Sequence, residues 1–135
     1  PKRASRLGAD IRITKSNDLK NSYYGLVFCD VPCSGSGTWR RDPEGKWSIT
    51  LRDYQKLLSI QENILTTAAQ LVRANGRLVY ATCSVLKDEN KTQIQKFLAN
   101  SNEWVFEKEK LFMPNELGDG FYFATLKKNK YSNKN

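Results

Sequence analysis

Two apolar segments that each run into a cysteine constrain this 135-residue chain more than any other feature. Leu26-Val27-Phe28-Cys29-Asp30-Val31 leads through Pro32 to Cys33, and Arg77-Leu78-Val79-Tyr80-Ala81-Thr82 leads directly to Cys83. Continuous apolar runs of this length, stopped by turn-forming residues, read as buried parallel strands. Parallel strands need a long crossover between them. The segment Thr50-Leu51-Arg52-Asp53 has the form of a capping box and opens that crossover as a helix. Leu51, Tyr54, Leu57, Leu58, Ile64, Leu65, Ala68, Leu71 and Val72 follow helical spacing, and Asn75-Gly76 is the predicted stop signal.

The flanking segments complete an alternating order. Residues 1–9 read as the last turn of a helix, and Ala9 to Thr14 as a short strand. Lys15 to Tyr24 reads as a loop. Asp88 to Asn100 predicts a second helix with Ile94, Phe97 and Leu98 facing inward. Trp104 to Lys108 and Phe121 to Leu126 predict two closing strands. Strands alternating with helices define an α/β protein with right-handed crossovers. The expected fold is the second half of a doubly wound, mostly parallel sheet with one antiparallel edge strand.

In such a sheet the chemistry sits at the carboxyl ends of the strands. Cys33 and Cys83 are both delivered there, with Asp30 three residues ahead of the first, which points to a thiolate nucleophile. Cys29 lies inside the apolar run and reads as a core residue. Three cysteines without a CxxC pair, and no histidine, argue against a zinc site and against a disulfide framework. The expected compartment is reducing and cytoplasmic. No long apolar run and no charged-then-apolar leader is present, so neither a membrane span nor a signal peptide is expected.

The net charge of +8 is concentrated at the ends. Lys2, Arg3, Arg6, Lys127, Lys128, Lys130 and Lys134 account for most of it, leaving 15 basic against 14 acidic residues between 7 and 126. Basic ends hold phosphate by counterion release, and equally often are solvated disordered tails.

Three ordered motifs carry a family resemblance. DVPCSGSGT (30–38), followed by RRDPEGKW (40–47), resembles an Asp-Ala-Pro-Cys-Ser-Gly-x-Gly motif with its downstream Lys-Trp segment. LVYATCSVLKDEN (78–90) resembles a Tyr-x-Thr-Cys-Ser…Glu-Asn motif, and GDGFYFATL (118–126) a closing Asp-Gly-Phe-Phe strand. Together they resemble the Sun (RsmB-like) family of S-adenosylmethionine-dependent RNA cytosine-C5 methyltransferases. The match runs from about residue 4 to residue 128.

The resemblance implies that Cys83 attacks C6 of a cytosine. It implies that Cys33 assists release, as a base or by promoting elimination, and that Asp30 contacts the cytosine edge and lies near the cofactor, S-adenosylmethionine. A helix start after Cys83 would favour its thiolate. The target base must leave its stack to reach such a site. Arg40, Arg41, Lys46 and Trp47 are candidate contacts to that RNA, with ribosomal RNA implied as the substrate. Trp39 and Trp47 suit RNA contact and covering of the sheet edge equally.

The departures from the family pattern are specific. The Gly-rich cofactor loop after a first strand, and the acidic residue ending a second, are not in this sequence. Ser16, Asn17 and Asp18 stand where a further cofactor-contacting acidic residue is expected, and the assignment among them is open. Gly35-x-Gly37 lacks the third glycine and the lysine of a phosphate loop, so a tight turn is the better account. Residues 1–128 are therefore expected to form a partial catalytic domain without the first strands and the Gly-rich loop, and 129–135 a basic disordered tail. The expected function is methyl transfer to cytosine C5, with the isolated chain inactive. The alternative is a non-enzymatic remnant that binds RNA or a partner supplying the missing half. An open sheet edge would also favour self-association.

Overall fold

The computed structural model describes residues 10–130 together with Arg6 and Gly8. Its strands are β1 (Tyr24–Asp30), β2 (Val72–Thr82), β3 (Trp104–Phe112) and β4 (Phe121–Lys128). Its helices are α1 (Gly45–Ser48), α2 (Leu51–Leu71) and α3 (Lys91–Ala99), with 3-10 turns at Ser16–Asp18, Ser36–Thr38 and Lys87–Glu89. The strands form one sheet in the order β1-β2-β4-β3. β1 and β2 are parallel, joined through α2, and β4 is antiparallel to both of its neighbours. β3 is the edge strand and pairs antiparallel, yet it runs in the same sense as β1 and β2. The strand running against the other three is β4, inserted between β2 and β3.

The core lies on one face of this sheet. Cys29, Leu78, Tyr80, Tyr122, Ala124 and Leu126 point to that face, where Leu65, Ala68 and Ala69 of α2 and Ile94 of α3 pack on them. The alternation of side chains along a strand turns Leu26 and Phe28 to the other face, where they are 60% and 59% exposed. Cys29 is a buried core residue as expected, and desolvation raises its thiol to about 11.

Thr50 caps α2 as the sequence indicates, its hydroxyl accepting from Asp53 N at 3.1 Å and donating to Asp53 Oδ2 at 2.6 Å. Leu51, counted on the apolar stripe, is instead exposed. The helix stops at Leu71, before the expected signal. Asn75, at φ +61°, and Gly76 lie within an irregularity of β2, between the pairs Tyr24↔Val72 and Leu26↔Arg77.

Other expectations need correction. Residues 10–14 form no strand among the described residues. No neighbouring strand is available there, and an isolated extended segment cannot pair its backbone groups. The second helix begins at Lys91, after the 3-10 turn, and Phe97 and Leu98 pack against the core beside buried Ile94. The last two strands run longer than the apolar runs, to Phe112 and Lys128, because ladder pairing continues past the apolar residues. The helical turn expected over residues 1–9 lies largely outside the described residues. So does most of the expected tail over 129–135. Asn129 is described and held: its N donates to Glu103 O at 2.7 Å and its Nδ2 to Asn102 O at 3.1 Å. Among the described residues no helix is long and apolar enough to cross a membrane.

Candidate functional site

The parallel register of β1 and β2 brings the two cysteines together. Asp30 is opposite Ala81, and Val31 N donates to Ala81 O at 3.1 Å. Both strands then leave the sheet at the same end, β1 three residues before Cys33 and β2 one residue before Cys83. The two Sγ atoms are 3.3 Å apart, close enough for one thiol to donate to the other sulfur. Neither is disulfide-bonded.

The glycines of the first loop allow this approach. Gly35 adopts φ +70°, the left-handed conformation that favours glycine. Gly37 threads between two backbones: its N donates to Cys83 O at 2.9 Å, and its O accepts from Gly120 N at 2.8 Å. A Cβ on Gly37 would stand 2.4 Å from Gly120 O and 2.6 Å from Cys83 O, so only glycine fits without a backbone shift. The tight-turn reading of this segment holds, and the same residues lock the loop to the Cys83 segment.

Beneath the cysteines lies a buried polar network that the sequence reading did not single out. Glu89 is 0% exposed. Its Oε1 accepts from Ser34 N at 2.8 Å and from Gln61 Nε2 at 3.0 Å. Its Oε2 accepts from Ser34 Oγ at 2.6 Å and, in a short contact, from Ser84 Oγ. Tyr80 OH donates to Glu89 O at 2.6 Å, and Gln61 Nε2 also donates to Pro32 O at 2.9 Å. Asn90 Nδ2 donates to Ser84 O at 2.8 Å, while Thr82 Oγ1 donates to Asn90 Oδ1 at 2.6 Å. Ser36 Oγ accepts from Val85 N at 2.9 Å and bonds Ser84 Oγ at 2.9 Å. Buried polar groups satisfied to this degree rigidify what they hold. Ser34, Ser36, Tyr80, Thr82, Ser84, Glu89 and Asn90 all lie within the first two sequence motifs, but their joining into one network is visible only in the fold.

Desolvation pushes the Cys33 thiol up to about 12. A hydrogen bond from the Gly35 backbone opposes that rise, and Cys83 and Glu89 add to it. Cys33 therefore carries its proton at neutral pH. The expected helix start does not abut Cys83: Ser84 bonds Glu89 and Ser36, Val85 N donates to Ser36, Leu86 N donates back to Ser84 Oγ, and α3 begins only at Lys91. The macrodipole is confined to the first turn and does not reach the sulfur.

The other expected site residues are spread around this centre. Asp30 closes β1 with its side chain exposed, on the face that α2 leaves uncovered. Arg40 is exposed. Arg41 makes an ion pair with Asp119, which ties the first motif to the segment entering β4. Trp47 is 82% exposed, with Lys46 Nζ 5.1 Å from its ring centroid. It covers no sheet edge. A cleft of about 490 Å³ opens beside Cys33, lined by Asp42, Ile49, Asp53, Lys56 and Ile60 among others. A larger one of about 1090 Å³, between Arg12 and Tyr24, holds none of the cysteines; it includes Lys15 and Asp18 of the ambiguous segment. Among the described residues no cluster of histidine, cysteine and acidic side chains could hold a metal ion.

An open α/β sheet with an antiparallel strand beside its last parallel one, and two thiols at the carboxyl ends, is the architecture of a Rossmann-like methyltransferase. The model of the 16S rRNA methyltransferase RsmB/F family matches residues 3–127. This chain belongs to that family. It is 39% identical over 116 residues to ribosomal RNA small subunit methyltransferase B of Pasteurella multocida, covering 78% of this chain and 26% of that protein. The corresponding Proteus mirabilis protein is 36% identical over 109 residues, covering 80% and 26%. The chain thus spans about a quarter of the length of these relatives. The crystal structure of PH0851 superposes with a TM-score of 0.84 at 27% identity, over 94% of this chain and 33% of that one. NSun6 from Pyrococcus horikoshii, solved with SFG, shares the fold: TM-score 0.77 at 22% identity, over 96% and 38% of the two chains.

Proposed function

We propose that this chain carries the reacting half of an RNA cytosine-C5 methyltransferase acting on ribosomal RNA, with Cys83 as nucleophile. The observation that carries the reading is the 3.3 Å approach of two thiols at adjacent carboxyl ends of parallel strands. Carbon 5 of cytosine is a poor nucleophile, and addition of a thiolate to C6 makes it enamine-like. Cys83 supplies that sulfur. Cys33, protonated at neutral pH by its burial, is placed to donate a hydrogen bond to the neighbouring sulfur. When the C5 proton has been lost and the C6–S bond breaks, Cys33 is placed to assist the departing thiolate. Asp30 would stabilise the base edge as charge develops on attack.

S-adenosylmethionine is the methyl donor in this reading, supplying the methyl group on a sulfonium; SFG, seen in the NSun6 structure, is its analogue. The described residues fit one wall of such a site. Asp30 stands exposed at the carboxyl end of β1, the end of the strands where ligands bind in this architecture. The Gly-rich loop is not in the sequence, so the isolated chain is expected to be inactive. RNA contact falls to Arg40, Lys46 and Trp47, whose exposed indole offers a stacking face. Arg41 is engaged by Asp119 and contributes less.

The test joins the chain to an N-terminal methyltransferase half from a relative and measures nucleosides of treated ribosomal RNA by mass spectrometry. 5-Methylcytosine is expected, and none after Cys83→Ala. Methylation at another atom, or activity surviving Cys83→Ala, would overturn the reading. The exposed Trp47–Lys46 pair also suits RNA binding without catalysis. RNA retention with no methylated nucleoside in the joined protein would favour that second reading.

A further inference from the structure

We infer that Glu89 is a positioning residue whose carboxylate clamps both cysteine-bearing loops and sets the sulfur-to-sulfur separation. The two cysteines stand in identical Cys-Ser steps, Cys33-Ser34 and Cys83-Ser84. The one carboxylate bonds the second residue of each step: Ser34 through its N and Oγ, and Ser84 through its Oγ. A third donor, Gln61 Nε2, ties the same group to α2 and to Pro32 O. Four hydrogen bonds thereby fill both oxygens, and none of the donors is basic. A buried carboxylate with no cationic partner is costly to keep, and no catalytic step uses it directly. Its geometry accounts for it. Residues 34 and 84 are fifty apart in sequence, and among the described residues this carboxylate is the one side-chain group that bonds directly to both. The charged groups facing Cys33 are Glu89 and the neighbouring Cys83, and both raise its thiol. Removing the Glu89 charge therefore eases ionisation of Cys33, while removing the whole side chain loosens the pair.

This role rests on reading Cys33 and Cys83 as the reacting pair, but its test needs neither RNA nor methyl donor. Diamide oxidises two adjacent thiols: an S–S bond forms, the thiols give up two protons and two electrons, and the diazene is reduced to a hydrazine. The rate of Cys33–Cys83 disulfide formation, followed by mass spectrometry on the 135-residue chain, reads how closely the sulfurs are held. Glu89→Gln keeps the volume and one accepting oxygen for Ser34 N and Gln61 Nε2, while its Nε2 holds the Ser34 and Ser84 hydroxyls by donating to them; it is expected to close the disulfide within about threefold of the wild-type rate. Its pH midpoint for iodoacetamide labelling of Cys33 is expected to move downward.

Glu89→Ala is expected to slow disulfide closure at least tenfold. Should that variant fail to fold, Ser34→Ala/Ser84→Ala removes two arms of the clamp and should slow closure in the same direction. Wild-type closure rates in whichever of these variants folds would overturn the inference. So would an unmoved labelling midpoint in Glu89→Gln. A null methyl-transfer assay with normal disulfide kinetics would instead count against the proposed function and leave the clamp standing.

Discussion

Cys33 and Cys83 are given separate tasks in the proposed reaction, and the surroundings of Cys33 suit it to holding a proton. Burial raises Cys33 to about 12, so the thiol is a proton carrier at neutral pH. Cys29, one turn of chain earlier, is raised to about 11 by desolvation alone and serves the core. Both shifts have a consequence for stability. In the unfolded chain these thiols titrate near 9.0, so the folded state holds their protons more tightly. The contribution is whole below pH 9.0 and is lost as pH rises through about 11 to 12. Urea midpoints are expected to fall between pH 9.0 and 11, and Cys29→Ala to flatten part of that fall. A flat wild-type profile would contradict the assignment. The cysteines were legible in the sequence because strand ends can be read from apolar runs. Glu89 falls on the Glu-Asn of the second motif, but its place under two loops is not legible, because burial of Glu89 and exposure of Asp88 follow from the fold and not from Lys87-Asp88-Glu89-Asn90.

The elements that deliver these residues are held by a few local devices, each of which can be removed singly. Thr50 accepts from Asp53 N at the start of α2, and Thr50→Ala is expected to lower stability by about 1 kcal/mol in urea unfolding. Leu65 is buried where α2 meets the sheet, and Leu65→Ala is expected to cost about 2–5 kcal/mol by the same measurement. Gly37→Ala is expected to act differently: its Cβ would collide with the backbone of Cys83 and Gly120, so the cysteine loops must part. Slower disulfide closure, with a smaller stability loss than Leu65→Ala, is the expected signature. Helix α2 was read correctly because its cap and its apolar spacing are local. Its end was misread because Asn75-Gly76 serves β2, whose pairing with β1 is a long-range fact. The expected strand before Thr14 failed for a similar reason, since alternation in Asp10 to Thr14 shows a preference for strand but cannot supply a neighbour.

Among the described residues, one face of the sheet carries α2 and α3, and the other presents Leu26 and Phe28 to solvent on the edge strand β1. Unpaired strand edges with apolar neighbours template association. We therefore expect the purified 135-residue chain to self-associate as concentration rises in sedimentation velocity, and Leu26→Lys/Phe28→Lys to reduce it. A monomer at all concentrations would contradict this. The α/β class was readable from element order, whereas the insertion of β4 between β2 and β3 was not, because antiparallel pairing leaves no mark of which strand lies at the edge. The central claim is covalent attack by Cys83, with Cys33 needed for release. It is tested most directly with Cys33→Ala in the chain joined to an N-terminal methyltransferase half, incubated with ribosomal RNA and methyl donor and run on a denaturing gel. The expected product is a protein–RNA adduct that nuclease digests and that disappears in Cys33→Ala/Cys83→Ala. An adduct that forms in Cys83→Ala instead, or persists without Cys83, would contradict it.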